Sequence, residues 1–151
     1  MNSLAETFGN SIAVLGFPCN QFGHQTNEGN GDILNTLKHV RPGNGFVPAT
    51  GVNLFEKCLV NGSDAHPLFQ YLKATLPVPV EEDGSASDVL VLPRASYGGT
   101  TVALWTPVMR SDVAWNFEKF LVDAKGEPVK RYSRYYDTNK IADDINGLLS
   151  S

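Results

Sequence analysis

Residues 12–17, IAVLGF, form an apolar run with no polar alternation, and Pro18 closes it. A strand with one wet face alternates polar and apolar side chains, whereas a strand covered on both faces reads as a continuous run. Pro18 has no N–H to give to a ladder and stops the strand. This stretch therefore predicts a strand buried on both faces, in the interior of a layered α/β protein. It is far shorter than the roughly 18 apolar residues that a membrane-spanning helix needs, and no other run in the chain approaches that length.

The surrounding pattern supplies the layers. Residues 3–9 read as the last turns of a helix, ended by Gly9-Asn10. Residues 32–40, DILNTLKHV, place Ile33, Leu34, Leu37 and Val40 on one stripe, which is an amphipathic helix broken by Arg41-Pro42-Gly43. Residues 64–76 read as a second helix, with Leu68, Phe69, Leu72 and Leu76 on one face and Asp64 and Pro67 in the first turn. Residues 77–101, rich in Pro, Gly, Ser and acidic side chains, read as a long surface loop or insertion. Residues 114–122 alternate as a strand, DAKGEP turns the chain, and residues 129–133 return it as a hairpin. Ile141, Ile145, Leu148 and Leu149 mark a closing helix. A buried strand flanked by helices, then a hairpin and a last helix, predicts a three-layer α/β/α sandwich with a mixed sheet. The 151 residues have room for one domain and one core.

The chemistry-bearing residues are few. The formal net charge of −4 argues against nucleic acid or an anionic membrane as the main partner. Three histidines without ligand spacing predict no metal site. Cys19 and Cys58 make no disulfide framework and fit a reducing compartment. A nucleophilic cysteine needs a cation or helix N-terminus to depress its pKa. No Lys or Arg precedes Lys38, so Cys19 reads as a small buried hydrophobe. Lys57 adjoins Cys58 but in a strand would face the other way. Gln21 lies in the loop leaving the buried strand, and Trp115 and Asn116 stand at the head of a later one. An indole N–H and two amide NH₂ groups are neutral donors that could hold an anion if they converged. Equally, Trp115 could be core and Gln21 a turn residue.

Four stretches carry a resemblance: VLGFPCNQFGHQ (14–25), KHVRPGNGFVP (38–48), LFEKCLVNGSDAHPLF (54–69) and DVAWNFEKFLVDAKGEPVKRYSR (112–134). Together they resemble the glutathione peroxidases over nearly the whole chain apart from residues 80–101. The resemblance implies a thioredoxin-like fold and reduction of hydrogen peroxide and organic hydroperoxides by glutathione, within the response to oxidative stress. It implies that Gln21, Trp115 and Asn116 surround a selenocysteine or cysteine, and that Arg41 and Arg134 attract glutathione. Neither Cys19 nor Cys58 matches the peroxidatic position. Cysteine-type relatives that use thioredoxin carry a resolving cysteine where this chain has VPATGVN, so the resemblance is to the selenocysteine, glutathione-using type. Two basic positions of the family differ, at Tyr135 and near Gly29.

The family's peroxidatic residue precedes the helix whose tail is residues 3–9. The expectation is therefore a single domain over 1–151, incomplete at its N-terminus and without its first strand or strands. A selenocysteine codon read as a stop is one explanation and a short isoform the other. Further expectations are no cofactor beyond glutathione as co-substrate, a cytoplasmic location and no membrane. The retained 77–101 insertion, with Trp105 and Pro107 after it, implies a homotetramer in the full-length protein. The rival expectation is a non-catalytic thioredoxin-fold fragment acting as a structural or interfering subunit.

Overall fold

The computed structural model describes residues 1–87, 94–97 and 100–150, the backbone alone being described at 94–97 and 100–103. In chain order the elements are α1 (Asn2–Phe8), β1 (Val14–Gly16), α2 (Ile33–His39), β2 (Val52–Leu54), α3 (Pro67–Thr75), β3 (Arg94–Tyr97), β4 (Thr100–Ala103), β5 (Lys119–Val122), β6 (Pro128–Tyr132) and α4 (Ile141–Leu149). Among the described residues, β1 pairs with β2 in parallel, β3 with β4 antiparallel and β5 with β6 antiparallel.

The β5–β6 hairpin is the middle layer, and its alternation sorts side chains to two cores. Phe120 joins a cluster with Cys19, Phe22, Val60, Phe69, Leu72, Trp105 and Val113, on the α3 side. Leu121 and Tyr132 join a second cluster with Leu4, Ile141 and Ile145, on the α1 and α4 side. Each fully buried Leu, Ile or Phe contributes about 1.5–3 kcal/mol. Helices on both faces of the hairpin realise the α/β layering that the apolar patterns predicted, but among the described residues the parallel β1–β2 and antiparallel β5–β6 ladders are separate two-stranded sheets rather than one mixed sheet.

Several local readings are corrected. Leu15, at the centre of β1, is 50% exposed, so the strand is not covered on both faces; β2 is its one ladder partner among the described residues. On α2 only Ile33 is buried, and Leu34 and Val40 of the expected stripe face solvent. Helix α3 begins at Pro67 rather than Asp64, because proline suits the first helical position and His66 caps it by accepting from the Leu68 N–H at 3.2 Å. Strand β5 begins at Lys119: Glu118 Oε1 accepts the Ala114 N–H at 2.5 Å and Phe117 has φ of 65°, so Trp115 and Asn116 sit in a turn instead of a strand head. The stretch read as a loop over 77–101 contains β3 and the start of β4, and its residues 88–93 and 98–99 lie outside the described residues. Trp105 is buried in the chain's own core, so it is not a free face for a subunit contact.

Candidate active site

Gln21 lies in the turn after β1 and is 5% exposed. Its Oε1 accepts from the N–H of Val60 at 2.8 Å and of Asn61 at 3.0 Å, while Nε2 donates to the Asn61 carbonyl at 2.9 Å. Two donors on one side and an acceptor on the other fix the orientation of the amide. The loop that follows is held by its own polar groups. Asn20 Oδ1 accepts from the Thr26 N–H at 2.8 Å, and Lys57 Nζ donates to the carbonyls of Thr26 and Glu28 at 2.8 and 2.6 Å. Gly23 has φ of +67° and a Cβ there would lie 3.4 Å from Trp115 Cη2. Glycine thus lets the loop turn and brings its backbone against the indole.

The Trp115–Asn116 turn meets this loop directly. Trp115 packs on Phe22 with ring centroids 5.8 Å apart, and Asn116 Nδ2 donates to Gln25 Oε1 at 3.1 Å. The Arg134 guanidinium stands 5.7 Å from the Trp115 ring centroid and 4.5 Å from that of Tyr135, an arrangement in which the ring face attracts the cation. Its Nε is buried with no hydrogen-bond partner among the described residues. Four of the five residues singled out from sequence, Gln21, Trp115, Asn116 and Arg134, thus lie on two packed loops and the strand end beside them. The amides of Gln21 and Asn116 each have one N–H committed, to Asn61 and Gln25, and each amide has a second. Arg41 lies exposed in the turn after α2 and shares no hydrogen bond, ion pair or ring contact with the other four among the described residues.

The cysteines are placed otherwise. Cys19 is buried, with Sγ 3.5 Å from Gln21 Oε1. Burial pushes its thiol up, and hydrogen bonds from the backbone of Gln21 and Val60 only partly oppose this. Burial, with Cys19 nearby, also raises Cys58. A thiol that resists ionisation is a poor nucleophile. Among the described residues no group of three or more His, Cys, Asp and Glu side chains is placed to hold a metal ion.

Sequence reasoning missed the buried polar chain beneath the site. Lys73 Nζ donates to Asn61 Oδ1 at 3.0 Å and to Asp112 Oδ1 at 2.9 Å. Asp112 Oδ2 accepts from Trp105 Nε1 at 2.8 Å and from the Met109 N–H at 2.9 Å. Arg131 pairs with Glu118 at 2.7 Å and donates to the carbonyls of Leu76, Pro77, Ser111 and Asp112. Glu118 is nonetheless pushed above the ordinary glutamate value, because burial outweighs Arg131. A signal was present: Lys73 is four residues after Phe69, on the buried stripe of α3, where a lysine requires a buried acid.

The profile of the glutathione peroxidase family, described as "Glutathione peroxidase", matches residues 1–73. Glutathione peroxidase 1 of Macaca fuscata fuscata is 52% identical over 151 residues, covering 99% of this chain and 69% of the relative. This chain belongs to the glutathione peroxidase family. Glutathione peroxidase 1 of Mus musculus is 51% identical over the same share of this chain and 69% of its own. Among solved structures, the crystal structure of Trgpx in apo form matches with a TM-score of 0.57 and 26% identity, over 99% of this chain and 68% of that one. The glutathione peroxidase fold is thioredoxin-like, and the α/β layers around the β5–β6 hairpin are this chain's version of it.

Proposed function

We propose that this chain is the donor-bearing body of a peroxidase, an oxidoreductase that reduces hydrogen peroxide and organic hydroperoxides with glutathione as co-substrate. The observation that carries the reading is the packing of the Gln21 loop on the Trp115–Asn116 turn, through the Gly23–Trp115 contact and the Asn116–Gln25 hydrogen bond. In this reading the second amide N–H of Gln21, the Trp115 indole N–H and the second amide N–H of Asn116 face a selenolate or thiolate. They favour the anion and steady the oxygen leaving the peroxide, as preorganised donors do. The chalcogen takes one peroxide oxygen as a selenenic or sulfenic acid, and the other leaves as water or alcohol. Two glutathione molecules then return it to the selenol or thiol and leave as the disulfide, with release of water.

Arg134, beside Trp115, supplies positive charge for the anionic glutathione, and Arg41 adds to it at longer range. No further cofactor or metal takes part, the location is cytoplasmic, and the full-length protein is a homotetramer. In this reading neither nucleic acid nor an anionic membrane is the main partner, since the chain carries a formal net charge of −4.

Coupled turnover of hydrogen peroxide, glutathione, glutathione reductase and NADPH tests the reading. Two proteins are compared: the 151-residue chain, and the polypeptide translated from the complete transcript with selenocysteine insertion permitted. Turnover by the second and silence from the first is the expected result. Turnover by the 151-residue chain that disappears in Cys19→Ser would overturn the assignment of the nucleophile. Silence from both would favour a structural subunit.

A further inference from the structure

We propose that Asn61 is a positioning residue for the peroxidase site, setting the distance between the Gln21 amide and the Trp115–Asn116 turn. The proposal rests on the reading of that site given above. Asn61 is 1% exposed, and its backbone and its side chain serve different loops. Its backbone N–H donates to Gln21 Oε1 at 3.0 Å and its carbonyl accepts from Gln21 Nε2 at 2.9 Å. Its side chain takes the Val113 N–H on Oδ1 at 2.9 Å and gives Nδ2–H to the Val113 carbonyl at 2.9 Å.

That second pair imitates the two-bond exchange of an antiparallel ladder, with an amide side chain standing in for a strand. Val113 is two residues before Trp115 and is itself 5% exposed, so the turn starts from a fixed point. Only an asparagine supplies a donor and an acceptor at this reach: aspartate lacks the donor, and glutamine is one methylene longer. Lys73 Nζ, 3.0 Å from Oδ1, fixes which end of the amide is the oxygen. The following residue, Gly62, has φ of +84°, and a Cβ there would lie 3.0 Å from Trp105 Cβ and 3.1 Å from the Thr106 carbonyl oxygen, so the backbone of this joint is held as well. Replacing a buried ion pair by well-packed apolar groups is often neutral for stability; registering two loops is what the directional amide of Asn61 adds.

The test uses 5-fluorotryptophan incorporated into the 151-residue chain, which has two tryptophans and so two fluorine resonances, assigned with Trp105→Phe. Gln21→Leu is compared in the parent and in Asn61→Asp, which keeps the acceptor for Val113 and Lys73 and removes the donor. Gln21→Leu is expected to move the Trp115 resonance in the parent and to move it less than half as far in Asn61→Asp. Equal movement in both would mean that the loops communicate through Phe22 and would overturn the proposal. If the aspartate variant does not fold, Asn61→Ser, with room for a water, reads the same coupling.

In the polypeptide from the complete transcript, Asn61→Asp is expected to lower kcat/KM for peroxide about 10–100-fold, as outer partners of reacting groups do. Ile145→Ala, a destabilising change in the other core cluster, is expected to leave kcat/KM unaltered. Equal effects of the two would mark Asn61 as merely structural. Absence of peroxide turnover in the parent would refute the peroxidase reading, while the fluorine coupling would still judge Asn61.

Discussion

Cys19 is the side chain a redox reading reaches for first, and its surroundings oppose it. Burial raises the thiols of both Cys19 and Cys58, and the charge of Lys57, whose ammonium is held by the carbonyls of Thr26 and Glu28, opposes this at Cys19 without overcoming it. Alkylation by iodoacetamide should therefore be slower than for a free cysteine at pH about 7.5 and should accelerate as the pH rises past roughly 8.5. Half-buried Cys58 should react before buried Cys19. Mass spectrometry of partly labelled protein reads the order; fast, pH-independent labelling of Cys19 at neutral pH would contradict it. This much was legible because a missing local cation is visible in sequence. The partners of Gln21 were not legible, since Val60 and Asn61 lie about forty residues on and only the fold brings them there.

Whole elements were read well where an apolar stripe met a core and poorly where local polar bonds prevailed. Helix α4 occupies the range that Ile141, Ile145 and Leu149 predict, because Ile141 and Ile145 pack on Tyr132. The Trp115 turn was misread as strand, because alternation in 114–122 does not reveal that Glu118 folds back to the Ala114 N–H. The joint of β6 and α4 makes a pH prediction. Burial pushes Asp144 up, but hydrogen bonds from Lys130 Nζ and the Tyr132 hydroxyl, both 2.9 Å, outweigh it and hold the carboxyl below the ordinary aspartate value. A depressed carboxyl contributes stability above its unfolded pKa of about 3.9 and loses it as the pH falls through the folded value. Asp144→Asn should accordingly lower the thermal midpoint at neutral pH and flatten its fall below roughly pH 4. A midpoint profile parallel to that of the parent down to about pH 2 would contradict the assignment.

At the scale of the molecule, two apolar clusters lie on opposite faces of the β5–β6 hairpin, and Asn61 of the buried polar chain bonds both the Gln21 loop and the segment that leads into the Trp115 turn. The layered class was legible from the apolar stripes of α3 and α4 and from the hairpin, not from the run at 12–17, where Leu15 is half exposed. The meeting of loops ninety residues apart, as in Asn116 to Gln25, was reached only through family resemblance. The proposed function requires Gln21 and Trp115 to act as one anion-holding unit. Steady-state kcat/KM for hydrogen peroxide in the polypeptide from the complete transcript, measured for Gln21→Ala, Trp115→Phe and the double variant, tests it most directly. Each single change should cost on the order of 10²–10³-fold, and the double little more than the worse single, as for groups that work together. Losses that multiply in full, or singles that turn over like the parent, would contradict it.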